Sequence, residues 1–320
     1  MKKFLMPLII GMCSCASEHS ETSIIDEDAK IIKVGTADMN VDSPESRWIY
    51  DENNKFGWNS NDVLGIFPVG KGSQLEFPVD LEEGKTSETV MFDGGGWGFK
   101  AGYSYSAYSP YNLLSTKGDQ IKFSYAKQYR KMYGNSFDLR ENMFRVTPPT
   151  SVANGTIFFL FYNTEAFLRM ELYGLPENKT YKSLSLYAEN EVIPQEKEYD
   201  IFSMTAEGTS VKITDKVLSV GNHLTMDLMN ATLDSDGKIL LWMAVPAIGT
   251  AYGSFKVVVK DSEGFIYVGD LLTKDQTPFV KSLTRNSRTT VRVNLKSTDG
   301  FTGGIEDWVS DGVDYGGVAQ

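Results

Sequence analysis

Apolar and polar residues alternate one by one along several runs of this chain, and this period of two constrains its fold most. A β-strand turns successive side chains to opposite faces, so each such run can bury one face of a sheet. The clearest apolar positions are Leu168, Met170 and Leu172; Leu184 and Leu186; Phe255, Val257 and Val259; and Val291, Val293 and Leu295. No segment has the 3.6-residue period of a long amphipathic helix. The pattern predicts an all-β fold built from antiparallel sandwiches.

Turn-forming residues separate the runs. Segments 234–237 (DSDG) and 261–264 (DSEG) are typical of tight turns between strands. Asp234, Asp236 and Gly237 also resemble part of a calcium loop. That loop needs a glutamate at its twelfth position, where this chain has Val245. We therefore predict a hairpin turn at 234–237.

The length of 320 residues suits one large or two ordinary domains. Pro148, Pro149, Asn154 and Gly155 punctuate the chain before the strongly apolar run at 156–162. We predict an N-terminal β-sandwich domain over 29–158 and a C-terminal β-sandwich domain over 159–320.

The first fifteen residues have the layout of a signal peptide. Lys2 and Lys3 precede an apolar run that is too short to span a bilayer, and Cys15 follows the small residue Ser14. A cysteine after a small residue at the end of such a run resembles the lipobox of bacterial lipoproteins. We predict a lipoprotein signal peptide over 1–14, lipidation at Cys15 and a polar, acidic tether over 15–28. The alternative is an ordinary secretory signal with incidental cysteines.

Composition excludes several classes of function. The chain has 42 acidic and 31 basic residues, a net charge of −11, which is unfavourable for a nucleic-acid-binding protein. It has two histidines and two cysteines, too few for a His/Cys zinc cluster. It lacks a Walker loop, a dinucleotide-binding glycine motif and a Gly-x-Ser-x-Gly elbow. We predict no enzyme, no catalytic residue, no metal and no cofactor. A secreted hydrolase that uses unassigned carboxylates remains a rival interpretation.

Two segments carry a resemblance to a known family. The first is SRW at 46–48 followed by FGWNSNDVLGIF at 56–67, and the second is WGFKAGYSYSAYSPY at 97–111. They resemble motifs of the fimbrillins, the type V pilin subunits and accessory lipoproteins of Gram-negative fimbriae. Segments 241–246 (LWMAVP) and 305–308 (IEDW) are also similar to family patterns. The resemblance implies two transthyretin-like Greek-key β-sandwich domains in tandem.

The resemblance also implies a mode of assembly. In stalk subunits of the family, a protease cuts after an arginine and releases an N-terminal strand, whose groove is filled by a strand from a neighbouring subunit. Here the removable segment would be 31–41 and the cut would follow Arg47. Arg47 could equally be an ordinary loop arginine, with the strand retained. The tail from 305 is the candidate donor strand, through Ile305, Val309 and Val313, although nearby glycines and aspartates weaken it.

These features predict a structural or adhesive fimbrial subunit, exported as a lipoprotein to the outer membrane and cell surface. Its partners would be other fimbrial subunits, outer-membrane lipid through the acylated cysteine, and a receptor on a host or bacterial surface. The alternative is a glycan-binding surface lipoprotein that stacks sugars on Trp97, Tyr103, Tyr105 or Tyr108. The same tyrosines could instead cover the edge of a core.

Overall fold

The computed structural model describes residues 31–36, 40–41, 58–60, 62–70, 73–79, 81–82, 86–87, 89–93, 98–133, 136–139, 141–188, 193–247, 252, 254–272 and 283–297. This part of the chain contains strands and turns and no helix, so the prediction of an all-β fold is confirmed. It also contains no helix with the length and hydropathy that a membrane span requires.

The described residues form 25 strands, numbered in chain order. They are β1 (Ile31–Thr36), β2 (Asn40–Val41), β3 (Trp58–Asn59), β4 (Val63–Pro68), β5 (Leu75–Pro78), β6 (Thr86–Ser87), β7 (Thr89–Asp93), β8 (Ser104–Ser109), β9 (Ile121–Ser124), β10 (Lys127–Tyr129), β11 (Lys131–Tyr133), β12 (Ser136–Asp138), β13 (Arg145–Val146), β14 (Thr150–Ser151), β15 (Thr156–Asn163), β16 (Ala166–Tyr173), β17 (Tyr181–Ala188), β18 (Ile193–Glu207), β19 (Ser210–Gly221), β20 (His223–Ala231), β21 (Ile239–Val245), β22 (Phe255–Asp261), β23 (Ile266–Leu272), β24 (Ser287–Asn294) and β25 (Lys296–Ser297).

Two large sheets contain most of these strands. The eight-stranded sheet has the order β5-β4-β8-β13-β15-β1-β7, with β14 attached to β8. The ten-stranded sheet has the order β10-β20-β17-β22-β23-β24-β16-β21, with β2 on β24 and β25 on β23. A three-stranded sheet, β19-β18-β9, and two small pairs complete the fold. We call the two large sheets the first and the second sheet.

The change from the first to the second sheet comes later than the predicted domain boundary. The boundary between 158 and 159 falls inside β15, which pairs with β1 and β13 of the first sheet. The next strand, β16, pairs with β21 and β24 of the second sheet. Strand pairing therefore places the change of sheet at Thr164 and Glu165. The division into two domains, and their transthyretin-like topology, stay predictions.

Apolar packing explains why the alternating runs became strands. Leu184, Leu186, Val257 and Val259 are fully buried and belong to the larger of two core clusters. That cluster also includes Phe67, Tyr108, Ile121 and Tyr125 from the first half of the chain. The smaller cluster contains residues of the first sheet, among them Ile32, together with residues around it such as Trp58 of β3. The core of the second sheet is thus completed by residues that lie before the predicted boundary.

Strand β16 departs from simple alternation, because its polar face is buried as well. Arg169 is 4% exposed and Glu171 is 5% exposed. Their side chains form an ion pair, with 2.6 Å between Arg169 Nη1 and Glu171 Oε1. Burial by itself would raise the pKa of Glu171, but the hydrogen bond and charge of Arg169 lower it below its usual value. A buried charge is tolerated where a partner of opposite charge compensates it.

The two predicted turns have different outcomes. Segment 261–264 joins β22 to β23, which pair as antiparallel neighbours, so it is a true hairpin turn. Segment 234–237 is also a turn, with Gly237 at a φ of 71° and Asp234 Oδ1 accepting from the backbone N–H of Asp236 at 2.9 Å. It joins β20 to β21, which do not pair with each other in the second sheet. The prediction of a hairpin at 234–237 is therefore wrong, although the turn itself is present.

Candidate functional site

The first strand of the described chain occupies an unusual place in the first sheet. Strand β1 lies between β15 and β7, parallel to β15 and antiparallel to β7. It pairs six residues with β15, from Ile31 with Thr156 to Thr36 with Phe161. It is therefore an inserted strand with neighbours on both sides, and it coincides with the start of the segment predicted to be removable.

The side chains of β1 fill the core of the first sheet. Ile32 and Val34 are 0% exposed and belong to the smaller core cluster, whereas Ile31 is 46% exposed. On the opposite face, the ammonium of Lys33 lies 5.0 Å from the ring centre of Phe158. Burying an aliphatic side chain of this size stabilises a fold by about 1.5–3 kcal/mol, so Ile32 and Val34 together contribute roughly 3–6 kcal/mol.

Strand β7 depends on β1 for its place in the sheet. In the sheet order β7 is the last strand, and among the described strands it pairs with β1 alone. The pairing runs from Ile31 with Asp93 to Gly35 with Thr89. Removing β1 would therefore break the ladder to β15 and leave β7 without a strand neighbour. Unpaired backbone groups beside an apolar cleft are what an added strand can satisfy.

The same N-terminal segment also reaches the second sheet. Strand β2 pairs in parallel with β24, matching Asn40 with Ser287 and Val41 with Arg288. The predicted removable segment, 31–41, thus contributes one strand to each large sheet. Loss of this segment would open an edge in both places.

Among the described residues that carry the family resemblance, Trp58 and Asp62 pack beside this region. Trp58 is 0% exposed, and its ring makes an edge contact with Phe161 at 4.8 Å between centroids. The guanidinium of Arg145 lies 4.0 Å from the centre of the Trp58 ring, and Arg145 Nη2 lies 3.9 Å from Asp62 Oδ2. Arg145 is 1% exposed, and sequence reasoning missed it. The aspartate of the motif could have predicted a buried cation, because a buried charge needs a partner.

The glycine of the same motif is explained by a close ring. A Cβ placed on Gly65 would lie 2.2 Å from Cε1 of Tyr108, so this position leaves no room for a side chain. The Tyr108 hydroxyl donates to Gln74 Oε1 at 2.6 Å, which holds the ring in place. Burial raises the pKa of Tyr108. The motif therefore specifies how β4 and β8 pack.

The tyrosines predicted as an alternative sugar platform are mostly inside the protein. Tyr105 is 4% and Tyr108 is 0% exposed, whereas Tyr103 is 39% exposed. The Tyr105 ring packs edge-on against Phe99, with 5.0 Å between centroids. A buried ring cannot present its face to a sugar. Of the four candidates, Trp97 lies outside the described residues, so Tyr103 is the one described ring that is accessible.

The other predicted site residues lie outside the described residues. They are the lipidation site Cys15, the processing site Arg47, and the donor-strand residues Ile305, Val309 and Val313. The signal peptide and the tether lie outside them as well. These assignments stay predictions.

The described part of the chain holds no cluster of three or more His, Cys, Asp and Glu residues that could bind a metal ion. A cavity of about 720 Å³ lies beside strand β19. Among its described lining residues the one carboxylate is that of Asp215, which is paired with Lys197 and Arg285. A hydrolase of the two-carboxylate type would need a converging pair, and this cavity does not supply one. His223 stacks on Tyr187, with 4.9 Å between ring centroids.

Similarity to solved structures extends over most of the chain. The chain is similar to a candidate cell adhesion protein from Bacteroides uniformis, with 13% identity and a TM-score of 0.47 over 76% of this chain and 93% of that one. A second candidate cell adhesion protein, from Bacteroides ovatus, has 14% identity and a TM-score of 0.44 over 84% and 96% of the two chains.

A third similar structure is the tip fimbrial protein Mfa3 from Porphyromonas gingivalis with a C-terminal truncation. It has 10% identity and a TM-score of 0.38, over 84% of this chain and 98% of that one. No family model matches the chain, and no curated protein matches its sequence.

Proposed function

We propose that this protein is a structural or adhesive subunit of cell-surface fimbriae that assembles by exchange of a β-strand. The observation that carries the proposal is the position of β1, which fills the core of the first sheet and links β7 to β15. The motifs at 46–67 and 97–111 support it independently, since they are similar to fimbrillin motifs. No catalytic residue, metal or cofactor takes part in this mechanism.

The mechanism follows from the physics of an open sheet edge. Cleavage after Arg47 would release β1 and β2, and the vacated groove would expose backbone donors and acceptors beside Ile157 and Phe159. A strand from a neighbouring subunit would restore both the hydrogen bonds and the apolar contacts. The tail, through Ile305, Val309 and Val313, is the proposed donor. If Arg47 is not cut, β1 stays in place and the protein is a terminal or anchoring subunit.

Export would precede assembly. We propose that the chain is lipidated at Cys15, reaches the outer membrane as a lipoprotein and contacts other fimbrial subunits at the cell surface. More than one acyl chain gives stable anchoring, which a single chain does not. Palmitate labelling should mark the parent protein and leave a Cys15→Ala variant unlabelled. Label and membrane association retained by the variant would contradict lipidation at this residue.

Strand replacement can be tested with peptides. A chain that begins at residue 48 lacks β1, and a fluorescent peptide of residues 29–41 should bind it saturably or be required for its refolding. The same peptide with Ile32→Asp should fail, because residue 32 enters the core. The matched peptide with Ile31→Asp should still bind, because Ile31 is 46% exposed. Equal binding of the two variant peptides would contradict the prediction that the groove accepts the strand through its core-facing side chains.

The native N-terminus and the cell surface provide the test in the organism. Protein recovered from surface fibres should begin at residue 48, and electron microscopy should show fewer or altered fibres in cells without the protein. A chain that always begins at the lipidated cysteine would reject the cleavage step. Unchanged fibres in the deletion strain would reject the fimbrial role.

A further inference from the structure

The cavity beside β19 is a groove along the edge of a long strand. Strand β19 is the outer strand of the sheet β19-β18-β9, and among the described strands it pairs with β18 alone. The described lining residues are 209–212, 215 and 217, from β19 and the turn before it, together with Lys197, Ala247 and residues 283–285. The volume of about 720 Å³ lies within the usual range of ligand pockets, roughly 300–1,000 Å³.

The floor of the groove is a buried and fully engaged ion network. Lys197 is 1% exposed, and its ammonium donates to Glu165 Oε1 at 3.0 Å and to the carbonyl of Ala247 at 3.0 Å. It also contacts Asp215 Oδ2 at 2.8 Å. These three contacts use all three N–H groups of the lysine. The floor is therefore rigid and offers no further donor from Lys197.

Arg285 lies beside this floor, and its guanidinium has N–H donors that the ion network does not use. Its Nη1 donates to the carbonyl of Ile213 at 2.6 Å, and its Nη2 donates to Asp215 Oδ1 at 2.8 Å. A guanidinium has five N–H donors, so three of them have no partner among the described residues. The two bonds fix the orientation of the planar guanidinium, so that its remaining N–H groups can donate to the carboxylate of a ligand.

The rim adds a second cation and neutral donors. Lys212 lines the groove and is exposed, and no described acidic side chain forms an ion pair with it. The hydroxyls of Ser210 and Thr284 lie in the same lining. The described lining thus contains three basic residues and one acidic residue, and Glu165 lies against Lys197 beneath it, so a surplus of one positive charge remains although the whole chain carries a net charge of −11. Its charge favours an acidic ligand.

The remaining walls indicate what kind of acidic ligand fits. Val211, Val217 and Leu283 are apolar, and none of the lining residues that the structure describes is aromatic. Sugar sites commonly stack rings on aromatic side chains, so the lining disfavours an acidic sugar.

Strand β19 has no second strand neighbour among the described strands, although on its side of the groove the carbonyls of Thr209 and Ile213 already accept hydrogen bonds from Asn286 and Arg285. The rest of such an edge is suited to an extended backbone, with side chains entering alternate pockets.

We propose that this groove binds an extended, acidic peptide segment of a partner protein. One carboxylate would pair with Arg285 and Lys212, and the peptide backbone would run along β19. The site is separate from the groove of β1, and the inference does not depend on strand exchange.

The test uses the full chain with β1 in place and a fluorescent heptapeptide of sequence TVEVEVT. Its affinity is measured by anisotropy, with TVQVQVT as the neutral control. We expect the acidic peptide to bind about tenfold more tightly, because hydrogen bonds between ionised groups are stronger than neutral ones. Equal binding of the two peptides, or no binding of either, would overturn the proposal.

Two charge reversals on the same strand locate the site. Lys212→Glu, in the lining, should weaken binding of the acidic peptide by about tenfold. Lys216→Glu has the same change in net charge but lies outside the lining, and it should weaken binding by less than about threefold. Equal losses would show general attraction to the surface and would overturn the assignment. Both lysines are exposed, so neither variant should disturb folding.

A backbone-modified peptide separates strand addition from simple charge pairing. The acidic peptide is N-methylated in two versions, on its odd-numbered or on its even-numbered residues, and each version keeps its charge but loses the N–H donors of one strand edge. We expect the version whose methyl groups face β19 to bind about tenfold more weakly than the other. Equal binding of the two versions would overturn the backbone part of the proposal. Tight binding of glucuronic acid with no binding of the peptide would overturn the ligand class.

Discussion

At the scale of single residues, steric fit and buried ion pairs are the main effects that this structure shows. Gly65 leaves room for the Tyr108 ring, and Arg145 combines a contact with the Trp58 ring and an ion pair with Asp62. These contacts are structural, and each is sensitive to small changes in side-chain size because protein interiors are closely packed. The motif residues are therefore best tested through stability.

Gly65→Ala should lower the free energy of unfolding by about 1–3 kcal/mol, because the new methyl group collides with a buried ring. Urea unfolding measures the loss. A second change, Tyr108→Leu, should recover part of it in the double variant, since the smaller side chain makes room. Purely additive losses would show that the two positions do not interact.

Asp215 predicts a pH dependence. Burial by itself would raise the pKa of Asp215, but Lys197 and Arg285 lower it below its usual value. Its contribution is therefore fully present above the ordinary aspartate pKa of about 4 and is lost as the pH falls through the lowered value. Asp215→Asn should cost about 1–3 kcal/mol at pH 6 and progressively less in more acidic solution.

The comparison is made by urea unfolding at several pH values, with Asp236→Asn as the control. Asp236 has a side chain that is 67% exposed, so its replacement should change little at any pH. A constant difference between the wild-type protein and Asp215→Asn across the acid range would contradict the linkage.

At the scale of elements, side-chain amides bond to backbone N–H and C=O groups at strand edges, as a neighbouring strand would. Gln128 of β10 donates to the carbonyl of Ala244 at 2.7 Å and accepts from its N–H at 2.8 Å. The side chain of Asn142 likewise donates to the carbonyl of Tyr129 at 2.7 Å and accepts from its N–H at 2.9 Å. Strands β10 and β21 end the second sheet, so the sheet curls until a side chain of one end reaches the other. The exposed edges that cause aggregation are thereby capped.

Gln128→Ala should leave two backbone groups of β21 unpaired and cost about 1–3 kcal/mol for each buried group. The opened edge should also increase self-association, measured by light scattering at rising concentration. Gln120→Ala is the control, because Gln120 is exposed and its side chain bonds to no described residue. A variant as stable and as monomeric as this control would contradict the capping role.

At the scale of the whole molecule, the two halves of the sequence are not two separate packing units. Strand β9 pairs with β18, and Tyr125 shares a hydrogen bond of 2.7 Å with Tyr199. Both hydroxyls lie in the core, and burial raises the pKa of each tyrosine well above its usual value. The core around the second sheet therefore includes residues between 121 and 146, as well as Phe67 and Tyr108.

A fragment of residues 159–320 should unfold at a lower temperature than a fragment of residues 117–320, or should lack a cooperative transition. The shorter fragment loses β9, β10 and the buried side chains of Ile121 and Tyr125. Calorimetry and circular dichroism measure the difference. A shorter fragment that unfolds as cooperatively and at the same temperature would show that the predicted boundary is also a folding boundary.

Local patterns were sufficient for the class of fold and for several contacts. The period of two predicted strands at Leu184, Val257 and Val291, because alternation is a property of the strand itself. The turn residues of 261–264 predicted a turn correctly, since glycine and aspartate set the turn geometry locally.

Other features depend on residues that are distant in the sequence, and only the tertiary structure decided them. The turn at 234–237 joins strands that do not pair, Arg145 finds Asp62 across 83 positions, and Tyr108 proves to be buried. The insertion of β1 between β15 and β7 is of the same kind. Alternation in the sequence indicates which face of a strand is apolar. Which strands pair depends on the packing of the complete core, and the residues of that core are spread over the whole chain, so a short stretch of sequence does not determine it.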